Sequence, residues 1–287
     1  MVCIGGLMAL AAVGAYLYAR DLWSGNPARD ARTTASRAAV YDSDRRLVSY
    51  PGKTEKPCPP QTARTAVILA IGQSNVANHA ATRVATRHPA DVLNYFDGKC
   101  YVAASPLLGA SGDSGEFLSL LADRLIEDDV YRNVIIVASG IGGTPIALWQ
   151  RNGQLNDMLI RILKDLAPGY TVTQVIWQQG ESDFRVATPA ADYVASFRSL
   201  VDVLTENGVD APLYIAVSTK CSPWTADNPV APAQRSLVDN KRVFLGVDTD
   251  SLLAEEDRYD GCHFSESGRR KTAAAYADAI KRSRRLP

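Results

Sequence analysis

Five short, almost uninterrupted apolar runs are spaced along the last three-quarters of the chain, and they restrict its fold more than any other feature. They are TAVILAI (65–71), NVIIVAS (133–139), TQVIWQQ (173–179), PLYIAVS (212–218) and RVFLGVD (242–248). Among them lie EFLSLLADRLIED (116–128), QLNDMLIRILKDL (154–166) and ADYVASFRSLVDVLTENG (191–208), with ESGRRKTAAAYADAIKRSRR (266–285) last. These four segments repeat apolar residues at three- and four-residue steps, the period of a helix with one buried face. Strands buried on both faces read as continuous hydrophobic runs, and strand–helix alternation gives a parallel sheet covered by helices on both sides. The sequence predicts an α/β domain on a five-stranded parallel sheet.

In such sheets ligands bind beyond the carboxyl ends of the strands. That is where the polar, turn-forming residues fall. GQSN follows the first run, SGIGGT the second, QQGESD ends the third, STKCSPW follows the fourth and DGCHFSESG lies a short loop beyond the fifth. Five loops are expected to converge on one rim.

Those loops hold the parts of a metal-free acyl-transfer site: a nucleophile, its base, a group orienting the base, and donors for an oxyanion. Ser74 stands at the end of the first strand. Only three histidines are present; His79 and His88 read as loop residues, while His263 sits just before the last helix. Asp260, three residues earlier, is one turn away and placed to fix the imidazole tautomer. Backbone N–H groups of Ser74 and of Gly142 or Gly143 are candidate oxyanion donors, with the Gln179 amide beside them. A nucleotide loop is the competing reading of GIGGT, but neither the dinucleotide glycine spacing nor a P-loop lysine is present. His263, Asp260, Glu181 and Asp183 are a weak metal-ligand set without two-histidine spacing, so neither a metal nor a cofactor is expected.

GQSN, GGTPIALW, WQQGESD and DGCHF, in this order, resemble the SGNH hydrolase superfamily, and within it the sialate O-acetylesterase-like branch that includes carbohydrate esterase family 6. The resemblance covers roughly residues 64 to 285. It implies a flavodoxin-like three-layer α/β/α sandwich, Ser74 as nucleophile, Asp260 and His263 as acid and base, and Gln179 with a glycine of the second block in the oxyanion hole. Some members of the branch use the glutamate of QGES as the acid, so Glu181 stands beside Asp260 as a second candidate. The implied activity is removal of O-acetyl groups from a carbohydrate. A catalytically silent glycan-binding module of the cell envelope and an acyltransferase or lipase with the same triad are the alternatives. Tyr101 and Trp224, in the long loops, are candidates for stacking on sugar faces.

The remaining features concern location. Residues 2–19 carry no charge and are just long enough to span a bilayer, which predicts an N-terminal membrane anchor over 1–20, a tether over 21–63 and the esterase domain over 64–287. A cleaved signal peptide is the rival, although a basic leading segment is missing. Arg20, Arg29, Arg32 and Arg37 follow the span and favour a cytoplasmic domain. Four cysteines outside the span favour an oxidising compartment instead, and the expectation is an exported domain. Their positions predict bridges Cys221–Cys262 and Cys58–Cys100, each closing a loop around the site. With 31 basic and 31 acidic side chains the formal charge is zero, and no basic field points to nucleic acid.

Overall fold

The computed structural model describes residues 39–222 and 228–284. In chain order its strands are β1 (Val40–Tyr41), β2 (Leu47–Ser49), β3 (Glu55–Lys56), β4 (Thr65–Gly72), β5 (Val92–Phe96), β6 (Lys99–Val102), β7 (Asn133–Ala138), β8 (Gln174–Gln178), β9 (Leu213–Val217) and β10 (Val243–Asp248). The α-helices are α1 (Leu118–Glu127), α2 (Asn156–Leu166), α3 (Glu181–Arg185), α4 (Ala190–Glu206), α5 (Val230–Ser236), α6 (Thr249–Leu252) and α7 (Glu266–Ser283).

All five predicted strands form, and they are parallel. Their order across the sheet, β10-β9-β8-β4-β7, puts the first strand inside and the second at its flank, the arrangement of flavodoxin-type sheets. The sheet is nonetheless wider than predicted. It has eight strands, because β5 adds to β7 in parallel and β6 and β3 continue it antiparallel. A buried Asn94 splits the apolar run of β5; its amide bonds to the backbone of Leu108 and Ile136.

Alternate residues of each strand feed opposite faces, as a period of two requires. Val67, Leu69, Ile71, Val175, Trp177 and Ile215 pack against α2, α4 and α5. Ala66, Ile68, Ala70, Ile136, Ile176 and Ala216 pack against α1 and α7. The result is three layers with two cores. Trp177 is fully buried, edge-to-face on Trp149 at 5.8 Å, and its truncation to Ala would cost about 3–5 kcal/mol.

The eight residues of β4 are all buried, and the strand ends at Gly72 with φ +131°. A β-carbon there would lie 2.2 Å from the carbonyl oxygen of Gln178, so only glycine lets β4 and β8 stay paired to their ends. That closeness sets the two most polar loops side by side at the point where the strand order reverses.

Residues 39–63 correct the tether expectation, because they are folded onto the domain. Leu47 is fully buried and exchanges backbone hydrogen bonds with Ala110 (2.9 Å) and Gly109 (2.9 Å). β3 pairs with β6, and Cys58 is bridged to Cys100. The predicted anchor and the start of the tether lie outside the described residues. Among the described residues no helix is long and apolar enough to cross a membrane.

Candidate active site

Ser74 begins a single 3-10 turn, Ser74–Val76, directly beyond β4. The turn is closed by Val76 N–H on the Gln73 carbonyl (3.1 Å) and Ala77 N–H on the Ser74 carbonyl (3.0 Å). The next side chain, Asn75, reaches across to the loop before α7, donating to the Cys262 carbonyl at 3.3 Å. The neighbour of Ser74 therefore grips the neighbour of His263.

On that second loop the Asp260 carboxylate folds back as the spacing predicts. Oδ2 meets His263 Nδ1 at 2.7 Å, while Oδ1 accepts the backbone N–H groups of His263 (2.7 Å) and Cys262 (3.0 Å). Burial pushes this carboxyl up, and the hydrogen bonds from His263 and Cys262 outweigh it, bringing its pKa down to about 2. Nε2 of His263 is left facing away from the acid, the orientation a base needs.

Glu181 is placed elsewhere. Its Oε1 accepts from Asn75 (2.6 Å) and Ser218 (2.8 Å), its Oε2 has no hydrogen-bond partner among the described residues, and burial pushes its pKa up. It braces Asn75 rather than touching His263. Arg258, also buried, adds a donor to the Cys262 carbonyl at 2.8 Å.

The oxyanion candidates divide. Gly142 N–H is occupied, donating to Ser111 Oγ at 2.7 Å. Gly143, at φ +71°, has no acceptor for its N–H among the described residues, and nothing lies within 4 Å of where a β-carbon would be. The expectation for Gln179 is corrected: its side chain is fully buried and turned inward. Its Nε2 donates to Thr144 O (3.1 Å), Gln73 Oε1 (3.2 Å) and Asp183 Oδ2, and its Oε1 accepts from Tyr193 OH (3.1 Å). Two protons shared among three acceptors leave none for a substrate.

His79, read as a loop residue, is part of the site. Its ring stacks on that of His263, centroids 5.5 Å apart and planes 22° apart, and its Nε2 is 3.1 Å from Ser111 Oγ. Burial first, then His263 and Arg45, push its pKa down to about 3 against the pull of Asp260. The same ring thus neighbours His263 and, through Ser111, the glycine loop. Nothing in the sequence near Ser111 signals this role.

Other candidates are not brought in. His88 pairs with Glu127 at 3.3 Å, Tyr101 lies on β6 between β5 and β3, and Trp224 is outside the described residues. Asp183 bonds Ile146 N–H (2.8 Å) and Thr188 (2.7 Å). Among the described residues no three His, Cys, Asp or Glu side chains are grouped to hold a metal ion. The structure contains both bridges, Cys58–Cys100 with Cα atoms 5.2 Å apart and Cys221–Cys262 at 4.1 Å. The second ties the His263 loop to the loop after β9.

A buried hydroxyl, an imidazole oriented by a carboxylate and an open backbone donor form a constellation suited to acyl transfer. Comparison with known proteins agrees in kind. The family described as "Carbohydrate esterase, sialic acid-specific acetylesterase" matches residues 64–282. Among solved structures, a protein from Arabidopsis thaliana is 21% identical, with TM-score 0.60, over 78% of this chain and 99% of that one. A putative GDSL-like lipase from Parabacteroides merdae is 15% identical, with TM-score 0.52, over 78% and 99%. Both likenesses are of fold. No curated protein matches the chain.

Proposed function

The chain belongs to the carbohydrate esterase family of sialic acid-specific acetylesterases and is an esterase, and on that footing we propose that it removes O-acetyl groups from a carbohydrate through an acetyl-serine intermediate. The observation that carries the mechanism is the 2.7 Å hydrogen bond from His263 Nδ1 to Asp260 Oδ2, on a loop that Asn75 binds to the Ser74 turn.

In this reading Nε2 of His263 takes the Ser74 proton as Oγ bonds to the acetyl carbon. The carbonyl electrons move onto oxygen, where the N–H groups of Gly143 and Ser74 receive the charge. The tetrahedral species collapses, the bond to the sugar oxygen breaks, and His263 delivers its proton to that oxygen. Water, deprotonated by the same imidazole, then releases acetate and restores Ser74. Asp260 stays ionised throughout and stabilises the imidazolium. Two bridges support an oxidising compartment for the domain, and the apolar run at residues 2–19 supports a membrane anchor for it.

Acetate release from 4-nitrophenyl acetate and from a panel of O-acetylated glycans tests the proposal. The expected result is turnover lost in Ser74→Ala, together with loss of stoichiometric labelling by a serine-directed phosphonate. Binding of glycans without acetate release would place the chain among silent binding modules.

A further inference from the structure

The rim holds a second polar concavity that the mechanism does not use. A cavity of about 150 Å³ opens beyond the carboxyl ends of β5 and β7, against α2 and the segment before β2. We propose that it is a subsite for one neutral sugar unit of the substrate, beside the unit that carries the acetyl group. The inference rests on the carbohydrate-esterase reading above.

One polar atom inside the cavity has no protein partner. Ser139 follows β7, and the alternation of side chains puts it on the same face as Val137, toward α2. It lines the cavity, is 1% exposed, and its buried Oγ makes no hydrogen bond among the described residues. An unsatisfied hydroxyl in the interior costs free energy that a ligand hydroxyl would recover. Buried Val137 and Ile162 complete an apolar floor around it.

The mouth is charged and only partly engaged. Arg46 gives Nε to Asp42 (2.8 Å) and Arg161 one terminal nitrogen to Asp44 (2.6 Å). Their other guanidinium N–H groups have no acceptor among the described residues. Asp97 and Asp165, which takes the Gly98 N–H at 3.3 Å, add acceptor oxygens. Donors and acceptors thus stand together, which suits hydroxyls that both donate and accept. Two guanidinium groups face four carboxylates, so the setting is net negative and disfavours an acidic sugar. A space of about 150 Å³ admits one six-membered ring.

Its place in the sheet connects it to the nucleophile. Ser74 follows β4, and β7 and β5 are the next two strands, each about 4.8 Å further on. Ser139 is four residues from Gly143, at most about 14 Å of chain. A neighbouring unit of one oligosaccharide can therefore enter the cavity while an acetyl group meets Ser74.

The test is binding of the methyl glycosides of glucose, galactose, mannose and xylose to the whole chain, followed by amide chemical shifts. The methyl glycoside of N-acetylneuraminic acid is the acidic comparison. Expected are shifts of the Ser139, Gly98 and Gly109 amides with at least one neutral glycoside, and weaker binding of the acidic one. In folded Ser139→Ala and Arg161→Ala the affinity should fall about three- to tenfold, one lost hydrogen bond in each. Ser139→Ala should not lower the thermal midpoint, because that hydroxyl holds nothing within the protein. In wild type the bound glycoside should raise KM for an acetylated glycan and leave KM for 4-nitrophenyl acetate as it was. No such shifts with any of the neutral glycosides, unchanged affinity in both variants, or tighter binding of the acidic glycoside overturns the proposal. An equal effect on both substrates does so too, because it places the sugar at Ser74. Wild-type protein that releases acetate from neither substrate would sink the esterase reading instead, and the amide shifts would still decide the cavity.

Discussion

The imidazoles of His79 and His263 lie face to face at 5.5 Å, and in the proposed mechanism only His263 changes charge during turnover. Two imidazolium rings at that distance would repel each other, so the stack works with one ring neutral. Burial keeps His79 neutral down to about pH 3. His79→Phe, which keeps a neutral ring, should retain kcat within about tenfold and leave the pH profile of kcat unshifted. His79→Lys, which places a cation beside the base, should lose more activity and move the profile. A Phe variant with a displaced profile would mean that His79 itself titrates in the working range.

The same burial has a consequence for stability. The folded pKa of His79 lies below its unfolded value of about 6.5, so the unfolded chain binds the extra proton between pH 6.5 and 3. The stabilising contribution is full above pH 6.5 and is lost as pH falls through that window. Urea unfolding at a series of pH values should show a shallower acid decline for His79→Phe than for wild type. Equal slopes would place the acid sensitivity on other groups.

Asp260→Asn should lower kcat by about 10²- to 10⁴-fold, because an amide at Oδ2 would present the wrong tautomer to His263. Glu181→Gln should cost less than tenfold in kcat, since Glu181 touches Asn75 and Ser218 rather than the imidazole. Steady-state kinetics of both variants checks the ranking, and a reversal would move the acid to Glu181.

Cys221→Ser and Cys58→Ser should each destabilise the fold by about 2–4 kcal/mol, the usual range for a bridge closing a loop of this order. Their effects on activity should differ. The Cys221–Cys262 bridge ends beside His263, so its loss should lower kcat in protein that is still folded. The Cys58–Cys100 bridge joins the chain before β4 to β6, far along the sheet from β8 and β9, and its loss should leave kcat at 25 °C nearly intact. Denaturation midpoints and kinetics on the same samples distinguish the two.

How far the sequence could be read depended on how local each signal was. The five central strands and their helices were legible because burial on both faces forces long apolar runs. The Asp260–His263 pair was legible because three residues span one turn. The edge of the sheet was not, because β5 and β6 are short and Asn94 interrupts the pattern. One signal there was available: Asp97 and Gly98, both at positive φ, make the two-residue Asp-Gly hairpin that joins them. Gln179 was misassigned for a different reason. Which way a buried amide faces is decided by Tyr193 and Thr144, contributed by two other parts of the chain, together with Asp183 just beyond the motif's glutamate and serine. The spacing within QQGES carries no trace of them.

The docking of residues 39–63 bears on how the protein is produced. A gene fragment trimmed to the family boundary at residue 64 would encode Cys100 with no partner and would uncover the backbone of Gly109 and Ala110, one residue from Ser111. Such a recombinant product would begin life with an odd thiol in its core and a loosened support under the glycine loop. A fragment starting ahead of Val40 keeps both, so here the unit of heredity that can be cloned and still fold is longer than the unit that similarity marks.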